Sequence, residues 1–308
     1  MTDFTLTRVR YLGMAASIVM MLLSLGFIAA YGLQLSIDFT GGLLLDISIP
    51  TLAGASELNA LLAPVLPSMS QLTETSSTGQ WQLLLPAGQE MINPQLLISQ
   101  INDQLISHGG IHLSDGATLL QSTAIGPQVG AALYEQGGLA LLAASLSIMC
   151  YLAVRFEWRL SVAAMASLVH DAVITLGLLA LLQVRIDLNV LAGLLAVIGY
   201  SLNDSIVIAD RLRDVLKAKP NLGIHECTDM AVKATFSRTL ITAGTTLFTI
   251  GCLLLLGGEA LYGFAFTMFV GVLVGTWSSI TIASTTQELL GLTPADYQPN
   301  QQLMDERP

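Results

Sequence analysis

Apolar residues fall in six long runs, at 12–31, 132–154, 160–182, 188–209, 239–257 and 262–287, and the connections are short except at 32–131 and 210–238. A hydrocarbon core about 30 Å thick takes about 20 residues of helix, so each run predicts a membrane span. The first follows a basic start (Arg8, Arg10) and is apolar from Tyr11 to Ala30. A cleavable leader has a shorter apolar region, roughly 7–15 residues, and a small-residue cleavage site. Tyr31 to Leu35 offer no such site, so this run is expected to persist as the first span. The last run is the longest and is expected to tilt or to run past the bilayer.

Between the first two spans the pattern changes to short alternating stretches. Leu43 to Ile49 predict a strand leaving Gly41-Gly42, and Ser56 to Ala63 a short helix capped by Ser56, with Pro64 and Pro67 behind it. Segments 69–75 and 81–85 predict a strand pair around Ser76 to Gln80. Pro94 opens a helix that ends before Gly109-Gly110, and 117–123 form a last strand. The order β-α-β-β-α-β is the ferredoxin-like pattern. The expected fold is therefore an all-α six-helix membrane bundle with a small α+β ferredoxin-like domain, which occupies 32–131 together with its Gly-rich linkers.

Charge orients these elements. Hydrophobic residues make up 53% of the 308 and charged residues 11%, with a mean hydropathy of +0.67, whereas soluble domains carry roughly 25% charged residues. With the N-terminus inside, the inner segments are 1–11, 155–159, the amphipathic stretch 210–238 and the tail from 288. They hold eleven of the twelve Lys and Arg, Arg185 in a short outer loop being the exception. Cations collect on the cytoplasmic side, so both termini are expected inside and 32–131 on the periplasmic side. Residues 41–130 lack Lys and Arg but hold Asp46, Glu57, Glu74, Glu90, Asp103 and Asp115, within a net charge of −10. Nucleic acid is therefore not expected as a partner.

Little points to an enzyme or a cofactor. Cys150, Cys227 and Cys252 lie outside the acidic block and read as free, packed thiols. No C-x-x-C or His-rich spacing suggests a metal, and no G-x-x-x-x-G-K-[ST] binds a nucleotide. Gly199-Tyr200-Ser201-Leu202-Asn203 begins like G-x-S-x-G but ends in Asn inside a helix. Any work must then draw on an ion gradient or a partner.

The candidates for function are polar side chains within the spans. A charge at a helix centre costs about 2.5–3.5 kcal/mol on insertion scales, and such groups face a protein interior or a water path. Span three carries His170-Asp171 near its middle. Span four carries Ser201, Asp204, Ser205 and Ile208 on one face, with Asn203 between them. Span five begins with Arg238, followed on one face by Thr242, Thr245, Thr246 and Thr249. A carboxylate and a guanidinium on two striped helices suggest a buried Asp204–Arg238 pair or a relay. The plainer alternative is a fixed pair that only holds helices together. For His170-Asp171 the plainer alternative is a histidine bonded to a carbonyl and a carboxylate bonded to a neighbour. The threonines alone say little, since Thr bonds its own helix backbone, and the Gly271/Gly275 spacing of span six reads as close helix packing.

An ordered series of motifs makes the reading specific. Ser36-Ile37-Asp38-Phe39-Thr40-Gly41-Gly42 resembles the G-[LI]-D-F-x-G-G signature of the SecD/SecF family, accessory subunits of the bacterial protein-export channel, with Ser36 where many members have Gly. Gly126-Pro127-Gln128-Val129-Gly130 resembles the family's G-P-x-V-G, Arg155-Phe156-Glu157-Trp158-Arg159 its F-x-W-R turn, and His170-Asp171 its H-D. Ile198 to Val207 with Asp210-Arg211 resembles the SecF branch in particular, and Arg238-Thr239-Leu240 with Thr245-Thr246 resembles R-T-x-x-T-x-x-T-T.

The resemblance implies half of an RND-like transporter, completed by SecD into a twelve-helix unit beside the SecYEG translocon. YajC, YidC and the translocating preprotein follow as further partners, in the bacterial inner membrane, with the proton-motive force as energy source and no cofactor. It implies a proton relay or coupling role for Asp204, Arg238 and Asp171, the last at the interface with SecD. His170, Ser201, Asn203, Thr242, Thr245 and Thr246 are the expected supporting groups. Asp38, Gly41, Gly42, Gly126 and Gly130 mark two arms where glycine permits hinge dihedrals. A small-molecule or lipid antiporter of the RND superfamily and a passive translocon scaffold are the alternative readings.

Overall fold

The computed structural model of the chain describes residues 3–49, 55–66, 70–75, 79–87, 92–108, 116–155 and 158–297. Along it run α1 (Asp3–Tyr31), α2 (Ile37–Thr40), β1 (Gly42–Ser48), α3 (Ala55–Leu62), β2 (Gln71–Glu74), β3 (Gln80–Leu85), α4 (Pro94–His108) and β4 (Thr118–Ile125). There follow α5 (Pro127–Arg155), α6 (Trp158–Leu181), α7 (Leu188–Ala218), α8 (Ile224–Leu256), α9 (Glu259–Ser278) and α10 (Ser284–Leu289). A π turn, Ser279–Ala283, joins α9 to α10, and a 3-10 turn covers Pro294–Tyr297. The chain divides into two compact units, Leu35–Leu139 and the remainder.

In the smaller unit the four strands form one antiparallel sheet in the order β2-β3-β1-β4, the ferredoxin-like arrangement expected from the element order. Side chains alternate across a strand, so Leu43, Leu45 and Ile47 of β1 turn to the same buried face as Leu85, Leu83 and Trp81 of β3, with which they pair. Leu58 and Leu62 of α3, with Leu97, Ile101 and Leu105 of α4, belong to the same core. Each such side chain contributes about 1.5–3 kcal/mol of burial. Asn102 accepts from the Ala117 N–H at 2.6 Å and donates to the Ala117 carbonyl at 3.1 Å, tying α4 to the chain that enters β4. Helix α3 starts at Ala55, so Ser56 lies inside it and is not its cap. Pro67, Ser76 and Gly109-Gly110 lie outside the described residues.

The larger unit is helical. Among the described residues, six helical segments are long and apolar enough to cross a membrane, the last formed by α9, the π turn and α10. Within their most apolar windows α6 is 56% buried and α7 50%, against 11% for α5 and 17% for α1 and α8, so α6 and α7 lie at the centre. Helices α7 and α8, with 31 and 33 residues, exceed the length a bilayer requires and both continue into 210–238. There Leu212, Val215 and Leu216 pack on Cys227, Ala231 and Leu292. The amphipathic stretch is thus two helix ends joined at 219–223. Of the three thiols expected to be packed, only Cys227 is; Cys150 and Cys252 are exposed. Asp187 caps α7 by accepting from the Val190 N–H at 2.7 Å.

Candidate functional site

Close approach of α9 to α7 builds the centre of the bundle. Gly271 lies against Val197, and a Cβ on Gly275 would sit 3.1 Å from Cβ of Ser201 and 3.5 Å from Oδ2 of Asp171. The small-residue spacing of span six is therefore packing, and this packing brings α7 and α9 together around a carboxylate of α6.

That carboxylate, Asp171, is 1% exposed. Its Oδ2 accepts from Ser201 Oγ of α7 at 2.5 Å and from Ser278 Oγ at the end of α9 at 2.9 Å. Ser167 donates in turn to Ser278 at 2.8 Å. His170 Nδ1 lies 2.9 Å from Asp171 Oδ1, while His170 Nε2 is buried without a hydrogen-bond partner among the described residues. Asp171 thus points into the bundle of its own chain.

Asp204 is the second buried carboxylate, 4% exposed. Thr239 Oγ1 donates to its Oδ1 at 2.9 Å, and Ser279 Oγ to its Oδ2 at 3.2 Å. Among the described residues no ion pair joins it to Arg238. The Arg238 side chain is exposed and lines a cleft with Asp210, Arg211, Asp214 and Thr235; its charge reaches Asp204 only through space. The expected direct pair is replaced by two neutral donors, because Thr239 is turned inward where Arg238 is turned outward.

The supporting residues divide. Ser201 belongs to the Asp171 cluster, whereas Asn203 is exposed on the far side of α7. Thr242 donates to the Arg238 carbonyl at 3.0 Å and Thr245 to the Ile241 carbonyl at 2.9 Å, which is local back-bonding on the helix. Thr246 is half-buried. Ser278 and Ser279 were not singled out in the sequence. Their signal is density: Thr276, Ser278, Ser279, Thr281, Ser284, Thr285 and Thr286 crowd the end of the last apolar run.

The glycine signature lies in the smaller unit and is tightly packed. Gly41 has φ +70° and its N–H closes α2 onto the Ile37 carbonyl. A Cβ there would stand 2.7 Å from Pro127 Cα, and one on Gly130 would stand 2.6 Å from the Gly41 nitrogen. Gly42 likewise leaves no room beside the Leu85 carbonyl, while Gly126 has open space. The glycines let the two signature segments touch. Asp38 lies half-buried in α2.

A third polar centre was read only as a basic flank. Arg10 is 0% exposed. Its Nε meets Asp229 Oδ1 of α8 at 2.8 Å and its Nη2 meets Glu288 Oε1 of α10 at 2.8 Å. Thr7 donates to Asp229, Tyr11 donates to Glu288, and the half-exposed His225 lies 2.8 Å from Glu288. Charges are almost never fully buried unless paired, and this group of one guanidinium and two carboxylates fastens α1, α8 and α10.

Known proteins resemble this chain over most of its length. Residues 111–292 match the family model described as protein export membrane protein SecD/SecF, C-terminal. The protein translocase subunit SecF of Desulfurispirillum indicum is 38% identical over 307 residues, 98% of this chain and 95% of the relative. That of Escherichia coli O157:H7 is 38% identical over 261 residues, 85% of this chain and 80% of the relative. The crystal structure of SecDF, a translocon-associated membrane protein from Thermus thermophilus, superimposes with a TM-score of 0.80 at 30% identity. It covers 94% of this chain, which spans 38% of the SecDF chain.

Proposed function

The chain belongs to the SecD/SecF family of protein-export membrane proteins, as a SecF-type subunit, and from that premise we propose that it couples the proton-motive force to preprotein export through Asp204. The observation that carries this reading is a carboxylate inside a membrane span, 4% exposed, held by the hydroxyls of Thr239 and Ser279 with no ion pair to a cation among the described residues. A buried carboxylate held only by hydroxyls can take up and release a proton as the bundle rearranges, and that change of charge biases one arrangement over another.

In this reading the chain works as half of a complex with SecD, beside SecYEG, with YajC and YidC as neighbours and the translocating chain as cargo. It is a transporter subunit rather than an enzyme, and the proton gradient takes the place of a cofactor. It lies in the bacterial inner membrane with both termini cytoplasmic and 32–131 in the periplasm, an orientation supported by the eleven cations on one side. Cells that depend on this subunit test the role of Asp204. With Asp204→Asn, precursor should accumulate while SecD still co-purifies. Normal export by that variant would contradict the proposal.

A further inference from the structure

Ser278 and Ser279 are adjacent in sequence and face different carboxylates. Ser278 Oγ lies 2.9 Å from Asp171 Oδ2 and 3.2 Å from the Gly275 carbonyl. Ser279 Oγ lies 3.2 Å from Asp204 Oδ2 and 3.0 Å from the Thr276 carbonyl. A hydroxyl has one hydrogen to donate, so each serine must choose between a carboxylate on a neighbouring helix and a carbonyl three residues back on its own. Ser167 donates to Ser278, which leaves the Ser278 hydrogen free to point to either acceptor.

Charge decides the choice. A hydrogen bond to an ionised carboxylate is roughly twice as strong as a neutral one, so an anion draws the hydrogen across to the neighbouring helix. A protonated carboxyl accepts more weakly and has a hydrogen of its own to give to the serine oxygen. The serine hydrogen then returns to the helix carbonyl. This exchange occurs where the backbone enters the π turn Ser279–Ala283, a one-turn departure from the α pattern of the kind found frequently at functional sites. Both serines are 0% exposed, so bulk solvent does not reach them.

Resting on the proton-coupled reading of Asp204, we infer that Ser278 and Ser279, with the π turn they open, couple Asp204 to Asp171, so that protonation of one carboxylate changes the hydrogen bonding of the other. The groups that set the charge here are few. Asp204 faces Thr239 of α8 and Ser279, with Arg238 and the Tyr200 hydroxyl acting through space. Asp171 faces Ser201 of α7, Ser278 and the titratable ring of His170. The two serines are positioning residues.

The test is infrared difference spectroscopy over a pH titration of the full chain, co-purified with SecD and reconstituted in lipid. The band followed is the carboxylic C=O stretch lost in Asp204→Asn. Ser278→Ala should move the midpoint of that band by about fivefold in proton affinity, within the usual range of site-to-site coupling, although Ser278 does not touch Asp204. Ser278→Thr should restore it. In an Asp171→Asn background, Ser278→Ala should add no further shift, which completes the cycle; Ser278→Cys, a weaker donor of similar size, serves if the alanine variant assembles poorly. An unmoved midpoint in Ser278→Ala, beside a moved one in Ser279→Ala, overturns the coupling and leaves proton use by Asp204 standing. Independent, additive shifts in the Asp171→Asn background also overturn it. If no band titrates at Asp204 at all, the proton-coupled reading fails and the coupling fails with it.

Discussion

Thr239 donates to Asp204 across 2.9 Å, one position after the arginine that the sequence offers as its partner. Successive residues on an α-helix point about 100° apart, so α8 can present only one of the two inward. It presents the hydroxyl. Asp204 is thereby held without being neutralised, and Arg238 opens onto the cleft that contains Asp210 and Asp214.

Thr239→Val removes this donor while keeping the shape of the side chain. A hydrogen bond to a charged group is worth about 1.5–3 kcal/mol, so proton-stimulated export should fall by about tenfold or more at equal levels of complex. Thr239→Ser should retain most of the activity. Equal rates in the valine and serine variants would show that the hydroxyl does not matter.

Arg10 carries a second prediction. Arg10→Met leaves Asp229 and Glu288 buried without the guanidinium that both contact, which should destabilise the chain by about 3–5 kcal/mol. Thermal unfolding of the purified protein in detergent reads this as a lowered midpoint. Replacing Arg10, Asp229 and Glu288 together by apolar residues of similar size should recover most of the loss, because a buried ion group exchanged whole for packed side chains is often neutral. A midpoint unchanged by Arg10→Met would contradict the burial of the group.

What the sequence disclosed and what it hid follow from the range of each interaction. The spans and the β-α-β-β-α-β order rest on local periodicity, so they were legible, down to Pro94 at the start of α4. Asp171 and Asp204 were legible as ionisable residues where few are tolerated. Their partners were not. The choice between Arg238 and Thr239 depends on the rotation of α8 against α7, which no local pattern sets. Ser278 and Ser279 were hidden because a serine in an apolar helix ordinarily bonds its own backbone and a π turn has no distinctive sequence. Arg10 was hidden because the statistics of flanking cations treat it as surface, and its two carboxylates arrive from more than 200 residues away.

The glycine signature separates close packing from flexibility. Gly130→Ala would drive a methyl group onto the Gly41 backbone, whereas Gly126→Ala meets open space. The first should destabilise the smaller unit by about 1–3 kcal/mol, the usual cost of overpacking, and the second should stay within about 0.5 kcal/mol. Limited proteolysis across a denaturant series compares the two. Equal tolerance of both alanines would contradict the tight contact.

Asp296, beyond the last span, should make the end of the described chain acid-sensitive. Burial works against its charged form, but the Thr293 N–H and hydroxyl and the Arg159 guanidinium outweigh it and hold the carboxyl below its ordinary 3.8. A lowered value means that the stabilisation is present above the unfolded pKa and is lost as the pH falls through the folded one. Asp296 is partly exposed, so the effect is below about 1 kcal/mol. Protection of the Thr293 amide, taken against its intrinsic exchange rate at each pH, should fall as the pH drops below 3.8 in the native chain, and Asp296→Asn should show the lower protection already at neutral pH. A Thr293 amide protected alike in both would contradict the contact.

The most direct test is preprotein translocation into inverted inner-membrane vesicles at constant ATP, with and without a protonophore, for the native chain and for Asp204→Asn in complex with SecD. The native complex should translocate faster with the gradient than without it, and Asp204→Asn should run at the protonophore-treated rate under both conditions. A full gradient-dependent increase in the Asp204→Asn complex would contradict proton coupling through this carboxylate.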